Sequence, residues 1–570
     1  MSLTHADFAI IGGALRAIAA EMGEVMMLSA HSTIVRESKD CGTCVMDQDG
    51  ETVAQAEMMP VHMNSLAAAL GHIREKFDLS TVRPGEAFLL NNAYEQGQHL
   101  NDIILLLPVF LDGRRVAMVG SIAHHLEVGG AVAGSNANAT EIYQEGLILP
   151  AMRIDLERDL YGGPVEQIIA ANVRCPQVVL GDLRAQVSAV LRGQERMLEL
   201  FARYGAELVG GAMAALQDYS ERLMREAIGR ITDGRYEAED LIDGFTRADP
   251  PIPVLAAVEI SGADATVDLS ASADQVHWPI NAPLASTHAA VLTVFAALLG
   301  PEAVTNAGTY RPIRIVTRKG SILDPIHPAP VRGRMTSIYR AATTVKRALG
   351  EAAPDLVAAA GSDSTCVLTL SHREGQGYRM FTEIPAGGNG AGPDGDGEEA
   401  IAQLLSNTAN APIEAIEREN PFVRVLEYAL VPDSGGAGEH RGGLGIRKSY
   451  QVLDDGVLLG TNGDRHASAP WALAGGRPGG RTAYTVIRDG KREAIPAATT
   501  RPLAKGSIFE MEVSGGGGWG DPRARGRDAV RRDLSTGRIG ERAAADIYGL
   551  HSDDDEEATR EVGARSPNGV

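Results

Sequence analysis

Residues 99–125, HLNDIILLLPVFLDGRRVAMVGSIAHH, leave a chain few ways to fold. Ile103 to Leu111 is an unbroken apolar run of strand length, and Val116 to Ala123 is a second, largely apolar one. Asp112-Gly113 between them is the strongest short-range signal for a two-residue hairpin turn. The segment therefore predicts an antiparallel hairpin of buried strands, with His99, Asn101 and Asp102 at its open end.

Pairing about Asp112 and Gly113 makes opposed residue numbers sum to 225, so His124 lies across from Asn101. Directly opposed side chains have Cβ atoms ~5 Å apart and diagonal ones ~7 Å, which brings a sequence separation of more than twenty residues into contact range. Strict alternation places His99 and His124 on one face and Asp102 on the other. A three-residue loop shifts the register by one and sets Asp102 opposite His124, with Gly97 or Asn101 marking where regular pairing ends. Both registers are open to the sequence. Two imidazoles and a carboxylate converging there suit a divalent zinc, manganese or iron ion with positions left for water or substrate. The alternative is a cross-strand histidine pair satisfied by Asp102 and the main chain. His125 and Glu127 are close enough to orient such ligands. Asp40 in RESKDCGTCVMD and His62 in PVHMNS, both in short polar interruptions of apolar segments, are further candidates.

With 570 residues, 44% hydrophobic and 22% charged, the chain can bury substantial cores and divides into two to four domains. The pattern predicts a multidomain α/β or α+β protein: a hairpin-bearing N-terminal unit with long helices over 1–235, a mixed α/β body over 236–421, and a Gly-rich β domain over 422–525. A helical tail over 526–570 has an acidic, solvated end. The helical run from Leu180 to Ile231 is interrupted at Tyr204-Gly205 and again at Gly210-Gly211, which predicts a helical pair or one kinked helix. The Gly-rich stretches 384–401 and 513–522 could form anion-binding nests; the alternatives are tight backbone packing of Gly515 to Gly518 beside Trp519 and a mobile loop over 387–397.

A net charge of -21 opposes any general affinity for nucleic acid or anionic lipid. Arg16, Glu21 and Glu24 interrupt the apolar N-terminus, which reads as an amphipathic helix rather than a signal, and no run of ~20 uncharged apolar residues spans a bilayer. The cytoplasm is the expected location. Four cysteines make no disulfide framework, and the lone pair Cys41 and Cys44 reads as buried thiols, with Cys175 and Cys366 far away. Neither a Gly-x-x-x-x-Gly-Lys-[Ser/Thr] loop, nor the dinucleotide fingerprint in a strand-to-helix setting, nor Gly-x-Ser-x-Gly occurs, so nucleotide chemistry would belong to another chain.

Several stretches together resemble the hydantoinase B/oxoprolinase family: VRESKDCGTCVMDQDGETVAQAEMMPVHMNSL, RPGEAFLLNNAYEQGQHLNDIILLLPVF, AHHLEVGG, GDLRAQ, NAPIEAIERENPFVRVLEYALVPDSGGAGEHRGGLGIRKSY and GGGGWGDP, in family order. The resemblance implies the metal-binding β-type subunit of an ATP-dependent hydrolase opening hydantoin, 5-oxoproline or a lactam. It implies a larger hydantoinase A-type partner holding ATP and Mg, with two-fold pairing into (αβ)2 expected. By resemblance the metal ligands fall on His99, Asp102 and His124, with Asp40 or Glu127 as catalytic base. The chain departs from the family at Asn92-Ala93, Gln96-Gly97-Gln98 and Leu126-Glu127, around the pocket that would select the substrate. A ketone carboxylase subunit of the acetone or acetophenone type, and a scaffold without metal, are the competing expectations.

Overall fold

A computed structural model describes residues 3–550 except 57, 63, 135–136, 245–248, 301–302, 365, 376, 402–403 and 408–409. The expected acidic end over 551–570 lies outside the described residues.

The predicted hairpin sits at the centre of a six-stranded sheet made of β1 (Cys41–Met46), β2 (Thr52–Ala56), β3 (Glu86–Leu90), β4 (Asp102–Leu111), β5 (Arg114–His124) and β6 (Met152–Asp155). The strand order is β2-β1-β5-β4-β3-β6, antiparallel at every pairing. Helices His5–Ser29 and Pro176–Tyr204 cover one face, and helix Ser65–Lys76 lies against the other. That double cover explains why β4 is apolar at every position from Ile103 onward. Ile103, Leu105, Leu107 and Val109 enter the large core beneath the two long helices, while Ile104 and Leu106 pack with Phe88 and Leu66 on the opposite side. The same alternation separates Cys41 from Cys44, which belong to different cores and cannot form a pair. Burial raises both thiols above their ordinary range.

The long helical run breaks once. Gly205, at φ 81° and ψ 149°, ends helix Pro176–Tyr204, and helix Ala206–Ile228 starts immediately after it. The second expected interruption is absent: Gly210 and Gly211 lie within that helix. Each exposed glycine costs a helix ~1 kcal/mol, and the buried face carrying Val209, Ala212, Met213 and Leu216 outweighs that.

The middle of the chain forms a four-stranded sheet over residues 234–316, packed by helices Leu284–Ala296 and Met335–Ala352. Two further sheets then enclose a shared core that includes Leu368, Phe381, Tyr450, Leu459 and Phe509. One of them joins Val367–Glu374 and Gly377–Glu383 to Val457–Asn462 and Thr499–Leu503, so its strands come from both sides of position 421. Arg340, on helix Met335–Ala352, ties the middle sheet to this region through Asp240, at 2.9 Å, and Asp464.

The Gly-rich stretches are not anion nests. Gly388 N–H donates to the Ser514 carbonyl, Gly516 to Gly443, Gly517 to Ala360 and Gly518 to Arg477, so their backbone donors are consumed internally. The absent side chains allow this close approach: a Cβ on Gly516 would overlap the Asn389 carbonyl, and one on Gly517 the Trp471 carbonyl. Gly516→Ala is therefore expected to destabilise the chain by at least the ~1–3 kcal/mol of an overpacked core, read as a lowered denaturation midpoint. An unchanged midpoint would contradict this packing. Among the described residues, no helix is long and apolar enough to cross a membrane.

Candidate metal centre

The hairpin combines the two registers considered from sequence. Asp112 and Gly113 form the two-residue turn at φ 50° and 76°, with Leu111 opposite Arg114 and Phe110 opposite Arg115. The register then shifts between Val109 and Phe110, so that Val109 faces Ala117 and Asp102 faces His124. A bulge, and not a longer loop, makes the shift. Regular pairing ends at Asn101, as one of the two expected exit points. The turn closed by Asp102 N–H on the His99 carbonyl, at 2.9 Å, folds His99 back over Asp102.

The three side chains consequently meet. His99 Nε2 lies 3.1 Å from Asp102 Oδ1 and 3.1 Å from His124 Nδ1, and His124 Nδ1 is 3.3 Å from Asp102 Oδ1. His99 and Asp102 are buried, while the His124 side chain is 15% exposed and, with His99, borders a cavity. Burial and the neighbouring Arg334 charge push His99 down to about 3, so its imidazole is neutral. Its Nδ1 stands 3.0 Å from the Arg332 carbonyl, which assigns the ring proton to Nδ1 and leaves a lone pair on Nε2. Burial opposes the charge on Asp102, but the Arg334 guanidinium on its Oδ2 holds the carboxyl well below the usual carboxylate range.

These donors fit a metal ion. A lone pair on His99 Nε2 has no proton to offer Asp102 Oδ1, so the cluster presents acceptors converging on one point. The donor separations match the ~3.3 Å edge of a tetrahedron with ~2.0–2.1 Å metal–ligand bonds. His99, Asp102 and His124 are a group whose ligand atoms all lie within 4.8 Å of one another. Arg334 Nη2 donates to Asp102 Oδ2 at 2.6 Å, leaving Oδ1 for the cluster, and its Nε is 3.2 Å from Gln98 Oε1 and 3.1 Å from Ser286 Oγ. Sequence reasoning missed Arg334 and Ser286, and marked Gln98 only as a departure from the family pattern. Arg334 is more than two hundred positions from Asp102, and no motif around it marks the contact.

Asp40 joins the group. Its Oδ2 is 3.7 Å from His124 Nδ1, and it lines the same cavity. Glu127 does not. Its carboxylate accepts from the backbone N–H groups of Gly129, Arg174 and Cys175, which fixes the loop after β5 and directs the side chain away from the cluster. His125 alternates to the opposite face of the sheet, where Nε2 is 2.9 Å from Gln186 Oε1. The cavity is walled by Met59, Leu126, Pro279, Met335, Val367 and Ile384, contributed by the N-terminal unit and the middle of the chain, and Asn462 adds a polar group from the Gly-rich end.

A multidomain α/β protein with a buried His-Asp-His cluster at the floor of an apolar cavity is thus defined. The chain belongs to the hydantoinase B/oxoprolinase family, whose profile matches residues 5–522. It is 31% identical, over 96% of its length and 95% of the other, to a protein of Pseudomonas sp. (strain NS671) provisionally named as the B-type subunit of a D-/L-hydantoinase. Among solved structures it is similar to the ATP-dependent caprolactamase from Pseudomonas jessenii, at 26% identity and TM-score 0.88, covering 99% of this chain and 100% of that one. Nucleotide-free acetone carboxylase shares the fold, at 18% identity and TM-score 0.87, with 99% of this chain and 84% of that one covered.

Proposed function

We propose that this chain is the metal-holding subunit of a two-subunit, ATP-dependent cyclic-amide hydrolase acting on a hydantoin, 5-oxoproline or a lactam. The observation that carries the reading is the donor triad at the floor of an apolar cavity, in a chain similar over nearly its whole length to a hydantoinase subunit and a caprolactamase. His99, Asp102 and His124 would hold a zinc, manganese or iron ion, whose chemistry is Lewis acidity and acidification of water. The chain's own residues do the rest. The apolar wall takes the ring body and keeps bulk water out, Arg334 keeps Asp102 ionised and oriented, and Asp40 stands beside His124 to accept a proton from the attacking water. Glu127, bound to three backbone donors, is left a structural role. Likeness of fold to acetone carboxylase carries no argument for ketone carboxylation at 18% identity.

A planar amide resists water, so the ring needs activation, which the reading assigns to ATP and Mg on a larger A-type partner. Isothermal calorimetry of Mg-ATP against the isolated chain is expected to be flat, and ring opening with ATP cleavage is expected only when the partner is added. Micromolar ATP binding by this chain alone, or ring opening without ATP, would overturn the division of labour. Elemental analysis after chelator-free purification separates the scaffold reading: less than about a tenth of an equivalent of any transition metal would favour it.

A further inference from the structure

Asp40 has a partner that the proposed mechanism leaves unused. His62 Nε2 lies 3.2 Å from Asp40 Oδ1, and each of the two side chains is only 3% exposed. The other Asp40 oxygen, Oδ2, is the one toward His124. The hydrogen bond between them uses Nε2 as donor to Asp40 Oδ1 and leaves Nδ1 to a second partner. Nδ1 is buried and has no hydrogen-bond partner among the described residues. His62 takes no part in lining the metal cavity; it borders a second cavity of about 20 Å³ behind it, with Thr52, Asn64 and Leu66. That volume holds one water, which can donate to Nδ1. The short helical turn carrying His62 is itself anchored: Val61 N–H donates to the Leu405 carbonyl at 3.0 Å, and Gln98 Nε2 donates to the Val61 carbonyl at 3.1 Å. Gln98 also meets Arg334, so the support of Asp40 and that of Asp102 share a residue.

We infer that His62 is a positioning residue: it fixes the rotation of the Asp40 carboxylate so that Oδ2 faces His124, and a water in the second cavity completes its own hydrogen bonding. The torsion that orients a carboxylate is broad and nearly two-fold, so burial alone does not choose which way Asp40 turns. A donor at Oδ1 does. The inference rests on the triad being a metal centre, as proposed above.

Two polar variants test it without emptying the site. The amide nitrogen of Gln occupies roughly the place of imidazole Nε2, and that of Asn the place of Nδ1, so His62→Gln keeps the donor to Asp40 while His62→Asn withdraws it. With the partner subunit present, H62N is expected to lower kcat by about 10–100-fold with KM within ~3-fold of wild type, and H62Q to recover most of the loss. In the isolated full-length chain loaded with cobalt(II), H62N is expected to change the visible absorption of the bound ion and H62Q to restore it. Equal kcat and equal spectra in both variants and wild type, or equal losses in both variants, would overturn the positioning role. A wild-type chain that takes up no cobalt would overturn the metal reading and this inference together, whereas cobalt uptake with indistinguishable variants overturns this inference alone.

Discussion

His124→Ala is expected to leave the chain folded, bring bound metal below about a tenth of an equivalent, and cut ring-opening turnover with the partner subunit by ~10³-fold or more. Removing one of three protein donors weakens such a site by orders of magnitude, while the 15% exposed His124 side chain contributes little to the core. Elemental analysis beside circular dichroism reads both halves. Full metal content in the mutant would remove His124 from the ligand set. Asp102→Ala is a poorer test, because it also strands the fully buried Arg334 guanidinium without its carboxylate, and the folding penalty would mask the loss of metal.

The second large effect lies far from the cavity. Arg340→Met is expected to destabilise the chain by ~3–5 kcal/mol, the usual cost of removing one partner from a buried ion pair. Arg340 is fully buried between Asp240 and Asp464, with Arg465 Nη2 3.3 Å from Asp240, and without it two buried carboxylates share one cation. Denaturant unfolding measures the loss, and less than ~1 kcal/mol would contradict the network. The pH dependence gives an independent readout. Burial raises Asp240, but Arg340 and Arg465 outweigh it and bring it down to about 2. A carboxyl lower in the folded state than in the unfolded one stabilises fully above its unfolded value near 4. That contribution, about 2 kcal/mol, is lost as the pH falls from about 4 toward 2. Arg340→Met moves the loss to higher pH, because the carboxyl no longer has its strongest cation.

How far the candidate site could be read in advance follows from the range of each interaction. The hairpin was legible because its signals are local: two apolar runs and an Asp-Gly turn specify antiparallel pairing, and pairing brings residue 124 to residues 99–102. Which of two registers held was not legible. The bulge between Val109 and Phe110 is selected by packing on both faces of the sheet, where Leu105 and Leu106 enter different cores, and a one-residue slip would exchange them. The glycine stretches were ambiguous for a related reason, since a nest and a close backbone contact need the same residue type. What fills the space opposite decides between them, and here it is the backbone of Asn389, Ser434 and Trp471.

By itself the sequence determined the central hairpin, the long helical stretch with an interruption at Tyr204-Gly205, the strand-rich region that follows the middle of the chain, and the placing of His99, Asp102 and His124 at the open end of the hairpin. Only the tertiary structure decided that Asp40 joins them and Glu127 does not, that Arg334 holds the cluster from a distant part of the chain with Gln98 beside it, and that the cavity above it draws its walls from segments far apart in the chain. The physical reason is that hydrophobic periodicity and turn chemistry act over a few residues, and so are written where they act. A buried carboxylate takes its partner from whichever segment the packed core brings within about 3 Å, and nothing in the local sequence of either partner encodes that choice.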